Sequence, residues 1–195
     1  MKVLTTPIGE KEARGLRVGD VVYLTGTLIT ARDEAHKRLL EHGSPLPLEG
    51  GALFHCGPVV RKTEGTWQVL AAGPTTSARM ELFEADVLRK FKPRVIVGKG
   101  GMGEKTLAAL GEVGAVYVHF TGGAGALAAQ AIRTVTGVHW LEELSMAEAV
   151  WAFQVEKFGP LVVTMDSHGR SMYKDLAVQV EANMKGIRER IRGSK

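Results

Sequence analysis

Short apolar runs alternate with helix-period patterns along most of the chain. β-branched residues are frequent in these runs, and glycine, threonine or proline follows most of them, which is typical of buried strands that lead into tight turns. The pattern predicts strands at residues 21–28, 52–55, 67–72, 95–97 and 115–120, and a strand at 151–155 that turns at 158–160 into another at 161–165.

The helix-period segments lie between these strands. Thr30 and Asp33 have the spacing of a capping box, and Gly43 is a typical helix end, so we predict a helix at residues 31–41. Further helices are predicted at 78–91, 104–110, 125–132 and, as an amphipathic closing helix, at 176–191. Strands precede helices repeatedly, which predicts an α/β fold with a mixed sheet and flanking helices. Residues 1–195 are expected to form one domain, with a partly ordered arm at 1–20.

Composition limits the classes of function. The 195 residues include 25 basic and 21 acidic side chains, and the basic ones are scattered, so no nucleic-acid partner is indicated. Cys56 is the sole cysteine, which excludes an internal disulfide and a four-cysteine cluster within the chain. Residues 1–15 lack the apolar segment of a signal peptide, and no run approaches transmembrane length. We therefore expect a cytoplasmic protein that does not contact a membrane.

Residues 98–103, Gly-Lys-Gly-Gly-Met-Gly, follow a β-branched run and match the G-x-G-x-x-G motif of dinucleotide-binding proteins. Such proteins carry an acidic residue about 20 positions later to bind the ribose, whereas residues 118–121 contain none. Lys99 also places a cation in the turn, which argues against NAD. Glycines at a helix N-terminus still expose N–H groups, so an anion-binding turn is predicted, with a turn needed only for packing as the alternative.

Two other junctions place an arginine in the first turn of a predicted helix, where the helix dipole disfavours a cation. Arg32 follows the strand at 21–28, and Arg79 follows residues 73–78, Gly-Pro-Thr-Thr-Ser-Ala. Ligands of open α/β sheets bind outside the carboxyl ends of strands, where these loops and the Lys99 loop can meet. Guanidinium groups bind carboxylates through paired hydrogen bonds. The three loops therefore predict a site for a small polyanion such as a dicarboxylate.

Each of these residues has a structural alternative. Arg32 has Asp33 and Glu34 as adjacent ion-pair partners, and the hydroxyls of residues 75–77 are typical helix caps.

The remaining candidates have simpler roles. Cys56 is predicted to be a buried thiol, His55 and His119 core or strand-end histidines, and residues 166–169, Asp-Ser-His-Gly, a turn rather than part of a catalytic triad. No spacing of histidine and cysteine predicts a metal site.

Three segments together resemble one family. Residues 30–33 (Thr-Ala-Arg-Asp) with His36, residues 73–80 (Gly-Pro-Thr-Thr-Ser-Ala-Arg-Met) and residues 98–102 (Gly-Lys-Gly-Gly-Met) occur in the order seen in β subunits of class I, iron–sulfur fumarases. Residues 148–151 and 158–169 are also similar, so the resemblance covers nearly the whole chain. The β subunit of L(+)-tartrate dehydratase is similar enough to be a rival.

The resemblance implies a swivelling β/β/α domain within a two-chain hydro-lyase, most simply a fumarate hydratase. An α subunit would hold a [4Fe–4S] cluster on three cysteines with one iron open, which agrees with the single cysteine here. A β–β contact in the heteromer is also implied. The implied substrate-binding residues are Arg32, Thr75, Thr76, Arg79, Gly98, Lys99 and Gly100.

Thr75 falls on the threonine proposed as the catalytic base of that family. A free hydroxyl is far too weakly acidic to ionise at neutral pH, so this role requires nearby cations, here Arg79 and Lys99. A non-catalytic anion- or nucleotide-binding module is the alternative from another class.

Overall fold

The computed structural model describes the backbone of residues 2–193 and the side chains of residues 2–191. Its strands are β1 Lys2–Thr5, β2 Val21–Thr30, β3 Ala52–Phe54, β4 Val59–Thr63, β5 Thr66–Ala71, β6 Val95–Gly98, β7 Val116–His119, β8 Ile132–His139 and β9 Val150–Met165. Seven of them form one mixed sheet in the order β1-β2-β3-β6-β7-β9-β8, and β4 and β5 form a separate hairpin.

The helices are α1 Glu10–Arg14, α2 Asp33–His42, α3 Glu84–Phe91, α4 Glu104–Val113, α5 Gly125–Gln130, α6 Leu141–Leu144 and α7 Met172–Gly193, with a 3₁₀ helix at Ser77–Leu82. The predicted α/β class, with a mixed sheet and flanking helices, is therefore confirmed.

Strand β9 closes the sheet on itself. It runs antiparallel to both β2 and β7, while β2, β3, β6 and β7 pair in parallel, so five strands form a ring. Successive side chains of a strand point to opposite faces. One face contributes to a core that contains Phe54, Phe153 and Phe158, and the other, with Ile96 and Tyr117, packs against α2, α3 and α4. The parallel strands therefore lie between these two cores.

The N-terminal segment, for which the sequence predicts a partly ordered arm, contains β1 and α1. Strand β1 pairs in parallel with β2, and Leu4, Ile8, Ala13 and Leu16 are all buried. These four apolar side chains follow neither a helical nor a strand period, which explains why the pattern was missed. Met1 lies outside the described residues.

Other elements differ from the prediction at exposed edges and junctions. Strands β4 and β8 were not predicted because most of their side chains are at least partly exposed and do not show a clear apolar alternation. Strand β9 continues through residues 158–160, where a turn was expected, and its pairing with β2 shifts register on both sides of Phe158, with Lys157 at φ 50°. The helix predicted at 78–91 is the 3₁₀ helix followed by α3.

Helix α7 matches the predicted closing helix, but the structure leaves its apolar side uncovered. Leu176, Val180, Met184, Ile187 and Ile191 are between 41% and 65% exposed. Within residues 2–193, no helix combines the length and the apolar character needed to cross a membrane.

Candidate functional site

Three loops meet beyond the carboxyl ends of the parallel strands. We define loop A as residues 30–33, loop B as residues 73–79 and loop C as residues 98–103. Ser77 N donates to the Lys99 carbonyl at 3.0 Å, and Lys99 N donates to Ser77 Oγ at 3.1 Å, which joins loops B and C. Arg79 Nε donates to Asp33 Oδ1 at 3.2 Å, which joins loops A and B. The structure therefore brings together the three loops that the sequence singled out.

The three cations of these loops differ in how they are neutralised. Arg32 Nε lies 3.2 Å from Glu148 Oε1, with both side chains mostly buried, so its partner is neither Asp33 nor Glu34. Arg79 faces Asp33 through two nitrogen–oxygen contacts, with 54% of its side chain exposed. Half-buried Lys99 has no ion-pair partner among the side chains of residues 2–191. Lys99 is therefore the cation that an incoming carboxylate can neutralise without displacing a protein carboxylate.

Two hydroxyl residues of loop B, Thr76 and Ser77, lie beside Lys99. Thr75 N donates to the His55 carbonyl at 2.7 Å, and Thr76 forms an isolated parallel β-bridge with Lys99. Thr75 is half-buried and Thr76 is exposed. Thr76 occupies the N-cap position of the 3₁₀ helix, but its side chain makes no cap hydrogen bond. The cap alternative is therefore not observed for Thr76.

The capping box predicted for α2 is wrong. Arg32, rather than Thr30, is the N-cap residue, and it makes no side-chain cap hydrogen bond. Thr30 is fully buried, and its Oγ1 accepts a hydrogen bond from Trp151 N at 3.1 Å. Thr30 thus fixes loop A to β9 instead of capping the helix.

The N-terminus of α4, predicted to bind an anion, is occupied by the protein's own carboxylate. Glu81 Oε2 accepts from Gly103 N and from Thr106 Oγ1, both at 2.7 Å. A carboxylate at this position satisfies an otherwise free helix N–H group and interacts favourably with the helix dipole. A ligand anion in loop C would therefore meet Lys99 rather than the first turn of α4.

The glycines of loop C are explained by packing and backbone conformation. Gly98 is buried, and a Cβ there would lie 1.9 Å from Ser77 Oγ and 2.7 Å from Tyr117 Oη. Gly100 has φ +78°, and its carbonyl oxygen lies 3.2 Å from Tyr117 Oη, farther than the 2.9 Å between Tyr117 Oη and Ser77 Oγ. The packing alternative for the glycine motif is therefore correct for Gly98, and its burial argues against the direct substrate contact implied by the resemblance.

A buried polar cluster, missed at the level of sequence, lies beneath the loops. Glu84 Oε2 is 3.0 Å from His36 Nε2 and 2.7 Å from His55 Nε2, and all three side chains are fully buried. His55 Nδ1 is 2.8 Å from Ser77 Oγ. The available signal was the position of Glu84, which lies four residues after Met80 and before Leu88 in an otherwise apolar helical stripe.

The charges within this cluster follow from its contacts. Burial opposes ionisation of Glu84, but the two histidines outweigh it and lower the pKa of Glu84 to about 2. Burial also disfavours a charged His36, yet the Glu84 carboxylate and the Arg32 carbonyl outweigh it and raise the pKa of His36. Burial lowers the pKa of His55. The cluster therefore holds a His36–Glu84 ion pair next to a neutral His55.

His36, His55 and Glu84 are also the one set of metal-ligating side chains that the described residues bring within 4.8 Å of one another. Their contacts argue for hydrogen bonding and against metal binding, because both Nε2 atoms share Glu84 Oε2 and both Nδ1 atoms have their own partners.

Cys56 is fully buried, and burial raises the pKa of its thiol, as expected for an inert core cysteine.

The last two candidates have structural roles. Asp166 is buried, and its carboxylate accepts from the backbone N–H groups of Val18, His168 and Arg170, as predicted for a turn. His119 lies at the end of β7, where its Nδ1 is 3.3 Å from the Tyr173 hydroxyl.

The parallel strands, the ring-closing β9 and the cationic loops define an α/β domain suited to binding a small anion. Residues 2–176 match the model of the family described as "Fumarase C-terminus", and the chain belongs to this family. It is 46% identical over 173 residues to L(+)-tartrate dehydratase subunit beta of Escherichia coli (strain K12), covering 88% of this chain and 86% of that subunit.

Two further relatives extend the comparison. A protein of Geobacillus stearothermophilus named putative fumarate hydratase class I is 49% identical over 174 residues, which cover 89% of this chain and 34% of that protein. Putative L(+)-tartrate dehydratase subunit beta of Methanocaldococcus jannaschii is 40% identical over 185 residues, which cover 92% of this chain and 95% of that subunit. These relatives are hydro-lyases or their β subunits, so the chain is the β-type component of a hydro-lyase.

Proposed function

We propose that this chain is the β subunit of a two-chain fumarate hydratase, in which it binds the two carboxylates of fumarate and (S)-malate. The observation that carries the proposal is Lys99, a half-buried cation where the three loops meet, without an ion-pair partner among the side chains of residues 2–191. Family membership supplies the reaction class. A cytoplasmic location and a β–β contact remain predictions from the sequence.

Binding would orient the substrate for addition or loss of water. Lys99 would hold one carboxylate, while Arg79 and Arg32, which border the same loops, would hold the other. Holding both ends of a short dianion fixes its central carbons, so that hydroxyl and proton add in one geometry. Thr75, in loop B, is the proposed base that exchanges the carbon-bound proton.

The iron–sulfur cluster of this class of enzyme would belong to the partner α subunit. Cys56 is the only thiol of the chain, and it is fully buried with a raised pKa, so these residues do not fit a cluster. We therefore expect the isolated chain to be inactive.

L(+)-tartrate is the second candidate substrate. The chain covers 86% and 95% of two tartrate dehydratase β subunits, named as such, but 34% of the putative fumarate hydratase. A separate β chain is therefore an architecture shared with the tartrate enzymes. A nucleotide-binding module is less well supported, because Glu81 occupies the helix N-terminus that phosphates would use.

The test is anaerobic reconstitution with a cysteine-containing α subunit, followed by assays with fumarate, malate and L(+)-tartrate. We expect hydration of fumarate and dehydration of malate only when both chains are present. Activity on tartrate alone would show that the substrate is L(+)-tartrate and not fumarate or malate. The absence of activity on all three, in a complex with an intact cluster, would overturn the proposed function.

A further inference from the structure

An unbroken series of buried contacts runs beneath the three loops. The Arg32 carbonyl in loop A is 2.8 Å from His36 Nδ1, and His36 contacts Glu84. Glu84 contacts His55, and His55 contacts Ser77 in loop B. Ser77 Oγ then accepts from Lys99 N in loop C. Each loop is therefore attached to the same polar chain.

The direction of each hydrogen bond follows from its partners. A carbonyl only accepts, so His36 Nδ1 donates to Arg32, and His36 Nε2 donates to the ionised Glu84. Neutral His55 donates from Nε2 to Glu84, so its Nδ1 accepts the hydroxyl proton of Ser77.

Ser77 is thereby saturated. Its hydroxyl donates once, to His55, and its oxygen accepts from Lys99 N at 3.1 Å and from the Tyr117 hydroxyl at 2.9 Å. A serine hydroxyl has one donor and two acceptor positions, so no capacity remains for a ligand. Ser77 is fully buried, which makes it a support for the Lys99 loop rather than a substrate contact.

We propose that Ser77, held by His55 and Glu84, is the positioning residue that fixes the Lys99 backbone, and with it the ammonium group, at the carboxylate site. This inference rests on the proposed function for the identity of the ligand, but the link between Ser77 and Lys99 is independent of it. Loss of the hydroxyl frees Lys99 N and leaves His55 and Tyr117 without their shared partner. Buried polar networks that lose one member lose rigidity as well as stability.

The experiment compares Ser77→Ala with Ser167→Ala in the assembled α/β complex. Ser167 is a matched control, since it is also buried and its Oγ has no hydrogen-bond partner within residues 2–191. The first readout is amide hydrogen exchange of residues 98–102. Loss of one hydrogen bond worth about 1 kcal/mol should speed exchange at Lys99 about fivefold in Ser77→Ala and leave it unchanged in Ser167→Ala.

The second readout is kinetic. Ser77→Ala should raise KM and the inhibition constant of succinate, an unreactive dicarboxylate, about tenfold, with a smaller effect on kcat. In a Lys99→Ala background, the same substitution should add little, because its effect passes through Lys99. Tyr117→Phe keeps the Ser77–Lys99 bond and should have a milder effect.

The outcomes separate the two proposals. Unchanged exchange at Lys99 in Ser77→Ala overturns the positioning role, as does faster exchange with unchanged KM and succinate inhibition in an active complex. Additive effects of Ser77→Ala and Lys99→Ala overturn it too. A wild-type complex that is inactive on all dicarboxylates overturns the proposed function, while the exchange comparison still decides the link between Ser77 and Lys99.

Discussion

Replacement of Gly98 by alanine tests why loop C contains its first glycine. The new Cβ would lie 1.9 Å from Ser77 Oγ, about 1.4 Å closer than an ordinary carbon–oxygen contact. Ser77 must rotate away and lose three hydrogen bonds, each worth about 1 kcal/mol. We expect Gly98→Ala to lower the free energy of unfolding by about 3 kcal/mol, measured by urea denaturation.

The same substitution in a Ser77→Ala background is the critical comparison. The clashing oxygen is then absent and Tyr117 Oη, at 2.7 Å, is the nearest atom, so the added cost should fall to about 1 kcal/mol. Gly9→Ala is the control, since a Cβ there meets nothing within 4 Å and φ is −72°. Equal costs of Gly98→Ala in both backgrounds, or a cost no larger than that of Gly9→Ala, would refute the reasoning.

Three further predictions concern neighbouring groups. Glu81→Gln should destabilise the chain by about 1 kcal/mol in urea denaturation, because it weakens the charged cap of α4. Glu104→Gln, at an exposed position in the first turn of α4, should have a smaller effect. Equal effects of the two substitutions would contradict the role of Glu81 as a cap. Cys56 should resist a thiol reagent at pH 8 in the native chain and react promptly in urea; rapid native labelling would contradict its burial. The stability lost in the double variant His36→Gln/Glu84→Gln, measured across pH, should be largest between about pH 4.5 and 6.5. It should shrink toward lower pH, because the Glu84 carboxylate has its pKa lowered on folding, and toward higher pH, because His36 has its pKa raised; a difference that does not vary with pH would contradict the ion pair.

Much of the fold was predictable because its central strands are buried on both faces. Strands β3, β6 and β7 lie between the two cores and therefore read as continuous apolar runs. Strand β8 pairs with β9 alone, and β4 belongs to a separate hairpin, so partly exposed side chains blur their pattern. The ring closure by β9 is a long-range pairing that local periodicity does not report.

The loops of the candidate site were predictable for a different reason. Arg32 and Lys99 follow β2 and β6, which are parallel strands of one sheet, and junctions on the same edge of a sheet meet in space. The loop of Arg79 follows β5 of the separate hairpin, and it reaches the other two through contacts of Ser77 with Lys99 and of Arg79 with Asp33. Their partners were not predictable, because Glu148 approaches Arg32 from 116 positions away and the 3₁₀ helix determines where Glu81 lies. The buried Glu84 left only the weak signal of a carboxylate within an apolar stripe.

The glycine motif shows how one pattern serves another purpose. Its spacing predicted a strand, a turn and a helix, and the structure contains β6, loop C and α4 in that order. The predicted turn is therefore present. However, Glu81 accepts a hydrogen bond from the N-terminus of α4, and the absence of a side chain at Gly98 leaves space for Ser77. Tertiary contacts of this kind decide whether a glycine-rich turn is open to a dinucleotide.

The most direct measurement of the central claim is kcat/KM of the reconstituted complex carrying Lys99→Ala, beside Lys105→Ala as an exposed control on α4. If Lys99 binds a substrate carboxylate, Lys99→Ala should lower kcat/KM for malate by well over about tenfold, while Lys105→Ala leaves it unchanged. Equal kcat/KM for both variants, in complexes of equal assembly and cluster content, would contradict the account.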